Sequence, residues 1–215
     1  MIRGIDPHFE PCNVKVVRTS GMARAKETLD IILTKLPQDC SIEIAEPDTL
    51  LNEGRPSHHI PGGRVSSSIV ERTDEDHPRI EAAFRKYFYR ADPPKQDLEK
   101  GSNTIGDDKE KTNNGKENDA KDVGDSINKE EKVELKHNSK HEFEIIVCHA
   151  NVIRYFLCRA LQLPPEAWLR FCVFNGSLTY LTIRPTGSVS CRMLGDIGHM
   201  GVDHSTFSSH HGFNW

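Results

Sequence analysis

The stretch HEFEIIVCHANVIRYFLCRALQL, residues 141–163, decides the fold. Glu142 to Cys148 is a nearly continuous apolar run, the pattern of a strand covered on both faces. Val152, Ile153, Phe156, Leu157, Ala160 and Leu161 follow at helical spacing, so a buried strand passes directly into an amphipathic helix. The same order recurs upstream. Val14, Val16 and Val17 form a β-branched run, and Met22, Ala25, Leu29, Ile32, Leu33 and Leu36 space a helix that Pro37 ends. Ile42 and Ile44 alternate as a short strand, after which Pro47, Gly54, Pro56, Pro61, Gly62 and Gly63 mark an irregular stretch. Ile80, Ala83, Phe84, Tyr87 and Phe88 give the next helix, stopped by Asp92, Pro93 and Pro94. Phe171 to Ile183 and Ser188 to Met193 read as a hairpin across Pro185, Thr186 and Gly187. Strands alternating with helices predict an α/β layer fold around a largely parallel sheet.

Composition sets the outer bounds. The chain has 215 residues, 36% hydrophobic and 28% charged, with a formal charge of −4. So small a net charge offers no basic field for a phosphate backbone, and no nucleic-acid partner is expected. The apolar runs fall far short of the roughly 20 residues of a membrane span, and MIRGIDPHFEP has neither a signal core nor a transit-peptide character. No membrane span and no targeting segment are therefore expected in this chain. Lys95 to Lys140 holds 10 Lys, 12 Asp or Glu and no aromatic residue, too little apolar surface to offset an ordering cost of about 1 to 2 kcal/mol per residue. Residues 95–140 are expected to be a disordered charged insert, 1–94 with 141–203 a single domain, and 204–215 a flexible tail. Cys12, Cys40, Cys148, Cys158, Cys172 and Cys191 contain no CxxC pair and are expected to be buried thiols in a reducing compartment, without disulfides. The histidines at 58, 59, 199, 204, 210 and 211 stand at no recognisable ligand spacing, so no metal or other cofactor is expected.

In an open α/β sheet, ligands gather beyond the carboxyl ends of strands. Two such ends are polar here. After Val17 the chain reads Arg18-Thr19-Ser20-Gly21 and then enters the helix that carries Arg24 in its first turn. Thr19 or Ser20 is placed to cap that helix, and a guanidinium beside free N–H groups suits a dianionic phosphate. After Val147 the chain reads Cys148-His149-Ala150-Asn151, an imidazole where a buried strand meets a helix start. That position suits holding an anion or moving a proton, although a core histidine bonded to backbone fits it equally. Between the two lies Leu50-Leu51-Asn52-Glu53-Gly54, with its carboxylate in a glycine-bounded turn.

S-x-x-x-R-A-x-E-T at 20–28, LLNEG at 50–54 and CHAN at 148–151 occur in an order that resembles the histidine phosphatase superfamily, the phosphoglycerate-mutase-like fold. RIEAAFRKYFYRAD, NGSLTYLTIRPTGSV and LGDIGHM tighten the resemblance, which covers roughly 13–92 and 142–203. It implies a three-layer α/β fold, a mostly parallel sheet with helices on both faces. It further implies hydrolysis of phosphoserine and phosphothreonine on proteins, a mitochondrial location and self-association into a homo-oligomer. Carried over by position, Arg24 matches a phosphate-binding arginine, Glu53 the catalytic acid or base of the variable loop, and His149 the second active-site histidine. The Ala150 N–H would join the phosphate pocket.

The departures shape the expectation as strongly. The superfamily's nucleophile is a histidine in an Arg-His-Gly motif ending a central first strand, and no such motif occurs here: Arg3-Gly4 lacks the histidine and His8 lacks the arginine. The chain as written is thus expected to miss that N-terminal central strand and to be nearly inactive, because loss of a covalent nucleophile removes on the order of 10⁶-fold in turnover while binding groups remain. Two readings follow: a phosphatase whose recorded start is incomplete, or a non-catalytic adaptor that binds phosphate or a partner. CHAN in place of Ser-His-Gly, and Asn52 where arginine is usual, are milder changes, since neither removes a titrating group from that mechanism.

Overall fold

A parallel pair of strands, neither adjacent in sequence, forms the spine. The computed structural model describes residues 10–58, 66–90 and 141–206. Strand β1 (Val14–Thr19) leads into helix α1 (Ala23–Leu33), then the two-residue strand β2 (Glu43–Ile44), helix α2 (Ser67–Tyr87), strand β3 (Phe143–Val147), helix α3 (Ala150–Ala160) and the hairpin β4 (Leu178–Ile183) and β5 (Val189–Asp196). Beyond β2 the register continues as a parallel bridge from Ser20 to Asp48. The three-stranded sheet runs in the order β2-β1-β3, with both pairings parallel; β4 and β5 pair antiparallel as a separate sheet.

Each face of the parallel sheet has its own core. Val14, Val17 and Val147 pack with Ala25 and Leu29 of α1, joined by Phe143 and Ile145. On the other face Ile146 and Cys148 meet Leu51, Ile80 and Ala83 of the α2 side and Val152, Tyr155 and Phe156 of α3. Helices on both faces of a mostly parallel sheet make the α/β architecture expected from the alternation. The register breaks between Val14 and Val16, which is why Val14 and Val17 share a face despite their odd spacing. Full burial of side chains such as Val17, Leu51, Ile80 and Val152 contributes about 1.5 to 3 kcal/mol each.

Several expectations are corrected. Helix α2 begins at Ser67, well before Ile80, and runs through Pro78. Its first half buries only Thr73, so the charged residues Glu71, Arg72, Asp74 and Glu75 leave no apolar stripe to read, although Glu and Arg favour helix. Strand β4 starts at Leu178, later than the apolar run from Phe171 indicates, because Pro165–Arg170 is a 3₁₀ turn and positive-φ Gly176 follows. Cys12 and Cys40 are joined by a disulfide, their Cα atoms 4.9 Å apart. The parallel alignment of β1 and β2 brings their approaches side by side, a proximity that a 28-residue separation conceals. Cys172 and Cys191 are exposed, so the expectation of uniformly buried thiols also fails. Residues 95–140 and 207–215, to which the insert and most of the tail belong, lie outside the described residues. No helix among the described residues is long and apolar enough to cross a membrane.

Candidate functional site

The carboxyl ends of β1 and β3 lie side by side, Thr19 opposite Val147, so the residues that follow them meet. Arg24, in the first turn of α1, donates from Nε to Nδ1 of His149 across 3.1 Å. A guanidinium has no acceptor, so Nδ1 is the unprotonated nitrogen. The proton of the neutral ring therefore sits on Nε2, 2.8 Å from Ser20 Oγ. The serine passes its own proton to Asn52 Oδ1 at 2.9 Å, and Gly21 N–H donates to the same oxygen at 2.9 Å. The result is a directed chain from Arg24 through His149 and Ser20 to Asn52.

His149 is only 5% exposed. Burial, with the Arg24 and Arg79 cations beside it, pushes its pKa down to about 4, which agrees with the neutral tautomer. Because Ser20 is committed to His149 and Asn52, it does not cap α1. The N-cap position is Met22, without a side-chain cap, and Met22 N–H itself donates to Ser20 Oγ at 3.2 Å. Thr19 Oγ1 is engaged with the Ser20 and Val147 carbonyls and does not cap either.

Glu53 lies in the turn after the 3₁₀ segment Thr49–Leu51 and faces Arg24 and Arg154. Burial raises its pKa above the ordinary carboxylate value, against the opposing pull of the Gly54 N–H, Arg24, Arg154 and the Asn151 N–H. Ala150 opens α3 with His149 as its N-cap residue and no side chain capping the turn. Arg24, His149, Glu53 and Ala150 are thus gathered at one end of the sheet. Cys148 lies beside them, but burial pushes its thiol up to about 12, so it is no ready thiolate.

Four further residues build the site. Ser20 and Asn52 set the histidine tautomer. Asn151 donates from Nδ2 to the Gly54 carbonyl at 3.2 Å, and Arg154 donates from Nη1 to Asn151 Oδ1 at 3.0 Å and from Nε to the Phe171 carbonyl at 2.8 Å. Arg154 is buried, and its sequence signal is a charge on the inward stripe of a helix, three and four residues before buried Leu157 and Cys158. Asn52 carried no such signal, because an amide in a turn is ordinarily solvated.

Chemically, the arrangement offers a cation whose terminal nitrogens have no hydrogen-bond partner among the described residues, a neutral imidazole, an uncapped helix start and a carboxyl group inclined to keep its proton. That set fits a tetrahedral oxyanion better than a neutral ligand.

The histidine phosphatase superfamily (branch 1) profile matches residues 89–195. The mitochondrial serine/threonine-protein phosphatase PGAM5 of Xenopus laevis is 42% identical over 185 residues, 86% of this chain and 50% of that protein. The Homo sapiens protein of the same name is 39% identical over 194 residues, and the Caenorhabditis elegans one 38% over 189, covering 90% and 88% of this chain and 50% of each relative. The chain spans about half the length of the curated relatives it matches. A solved phosphoglycerate mutase from Plasmodium falciparum aligns with 91% of this chain and 78% of its own, at 28% identity and a TM-score of 0.43.

Proposed function

The chain belongs to the histidine phosphatase superfamily, and from that premise we propose that it supplies the phosphate pocket and the acid of a phosphomonoesterase acting on phosphoserine and phosphothreonine in proteins, at work in mitochondria like its named relatives. The observation that carries this reading is the 3.1 Å contact between Arg24 and His149, residues 125 apart in the chain. A phosphoryl group seated between them would take its charge neutralisation from the Arg24 guanidinium and, once His149 takes up a proton at Nδ1, an N–H donor from the imidazole. The Ala150 N–H would add a third donor. Glu53, kept protonated more readily by burial, would give its proton to the departing serine or threonine oxygen.

The attacking imidazole is not furnished by an Arg-His-Gly motif within these 215 residues. Supplied alone, this polypeptide is therefore expected to bind a dianion and turn over almost nothing. A second reading, a phosphate-binding or partner-binding adaptor of the same fold, needs the pocket alone. Homo-oligomer formation is compatible with either.

Calorimetric titration of the purified chain with orthovanadate tests the pocket. Binding that Arg24→Ala and His149→Ala both abolish is the expected result, and binding indifferent to both removes the proposal. A chimera carrying a superfamily Arg-His-Gly strand ahead of Val14 separates the two readings. Gain of phosphoserine-peptide hydrolysis supports the phosphatase, whereas continued inactivity with intact vanadate binding supports the adaptor.

A further inference from the structure

The turn that carries Glu53 is held from beneath by one side chain. Arg79, on α2, donates from Nη1 to the carbonyl oxygens of Thr49, Leu50 and Asn52 at 3.2, 3.0 and 2.8 Å, and from Nη2 to the Glu53 carbonyl at 3.2 Å. Nη2 also donates to Asp76 Oδ1 at 2.9 Å, and the other oxygen of Asp76 accepts from the Arg55 N–H at 2.9 Å. One guanidinium and one carboxylate thus fasten the backbone on both sides of Gly54. They lie close against it: a Cβ at Gly54 would stand 2.6 Å from Arg79 Nη2 and 2.6 Å from Asp76 Oδ1. From the opposite side Asn151, itself held by Arg154, grips the Gly54 carbonyl.

This geometry exceeds what surface order requires. Four carbonyls converging on one fork hold the turn's backbone, and that path keeps the half-buried Glu53 side chain facing Arg24 and Arg154. A lysine could replace the charge but could not span four acceptors with a planar fork. We propose that Arg79 is a positioning residue for Glu53, fixing the acid's turn so that its carboxyl stays half-buried beside the Arg24–His149 pair. The proposal rests on the reading of Glu53 as the acid.

The groups that face Glu53 are Arg24 from α1, Arg154 and the Asn151 N–H from α3, and Cys148 from the end of β3. None of them is altered by a change at Arg79. If the turn loosens, Glu53 gains water and its carboxyl moves toward ordinary behaviour.

The test is a carbon-13 titration of the Glu53 carboxyl in the 215-residue chain, its resonance assigned with Glu53→Gln, in the native protein and in Arg79→Lys. The lysine variant keeps the positive charge near His149, so an electrostatic effect of Arg79 is held constant. The expected result is a Glu53 midpoint above the ordinary value in the native chain that falls toward it in Arg79→Lys. The Gly54 and Arg55 amides should exchange about 10-fold faster or more, with α3 amides unchanged. A Glu53 midpoint and Gly54 exchange rate that do not move in Arg79→Lys overturn the assignment. Loss of the underlying reading shows separately: vanadate binding insensitive to Arg24→Ala sinks the pocket while leaving the Arg79 result to stand or fall by itself.

Discussion

Nδ1 of His149 accepts the Nε–H of Arg24 at 3.1 Å, so a cation and a neutral imidazole from distant parts of the chain share one hydrogen bond. In the proposed pocket, an entering oxyanion has to separate or bridge this pair.

Stability should fall in mild acid because of His149. Its folded pKa lies at about 4 against 6.5 unperturbed, chiefly from burial, then from Arg24 and Arg79. Between those values the unfolded chain binds more protons than the folded one, so stability rises with pH. The contribution is complete above about pH 6.5, is lost as pH falls toward 4, and amounts to at most about 3 kcal/mol. Urea unfolding of the native chain and His149→Gln at pH 7.5, 6, 5 and 4.5 reads it. Parallel curves for the two proteins would refute it.

Glu81 supplies a second acid-sensitive term in a different window. Burial raises its pKa, but the hydrogen bonds from Arg159, Tyr155 and Arg85 outweigh that and bring it to about 2. Arg159 makes two of those bonds, at 3.0 and 2.9 Å. Since the folded value lies below the unfolded 4.5, the stabilisation is full above about pH 4.5 and disappears as pH falls toward 2. Glu81→Gln should lower stability by about 2 to 4 kcal/mol at pH 7, leaving Arg159 and Tyr155 without their anion, and should lose much less at pH 3. Denaturant midpoints at the two pH values decide the matter.

Much of this fold was legible because its signals are local. The apolar run before Cys148, the helical spacing after it and the twin pattern around Val14 to Leu36 state a parallel α/β unit without any tertiary information. Arg24, Glu53 and His149 were each weak signals alone; it is the side-by-side ends of β1 and β3 that bring Arg24 onto His149. What stayed hidden depends on pairing. Arg79 looks like a solvated helix charge until the Thr49–Glu53 carbonyls are folded onto it. Asn52 looks like a turn residue until Ser20 meets it, and the first half of α2 carries charge where a stripe was sought. Cys12 and Cys40 become neighbours only when β1 and β2 align.

That alignment makes the disulfide measurable. A cross-link closing 28 residues is worth about 3 to 4 kcal/mol through the unfolded chain, if the loop-entropy account holds. Thiol titration in denaturant should count four free cysteines before reduction and six after. Cys12→Ser with Cys40→Ser, or reduction of the native chain, should lower the unfolding free energy by that amount. Six thiols in the unreduced protein would remove the bond from the fold.

Gly54→Ala probes the contact between the acid's turn and α2. A methyl placed 2.6 Å from the Arg79 and Asp76 termini has to displace an ion pair that is itself tied to backbone. Overpacking of this kind costs about 1 to 3 kcal/mol. The loss should reach the pocket as well, weakening vanadate binding as the Asn151 contact to the Gly54 carbonyl shifts. Gly21→Ala serves as a milder comparison, since its Cβ would meet Asn52 Oδ1 at 3.2 Å. Equal stability and binding in native and Gly54→Ala proteins would show that the turn yields freely.

Anion binding should draw a proton into the site. The cations that depress His149 are Arg24 and Arg79, and a dianion seated against Arg24 opposes their field while offering the ring an acceptor in place of the Arg24 contact. The imidazole pKa must then rise on binding. By linkage, any ligand that raises it binds more tightly as pH falls through the range between the free and the bound value. Sulfate is the suitable probe because it does not itself titrate there. Calorimetry at pH 5.5 in two buffers of different ionisation enthalpy should reveal fractional proton uptake per sulfate, and affinity should weaken from pH 5 to pH 7.5. His149→Gln should abolish the uptake and flatten the profile. Proton-neutral binding by the native chain would mean that the ion rests on Arg24 without engaging the imidazole.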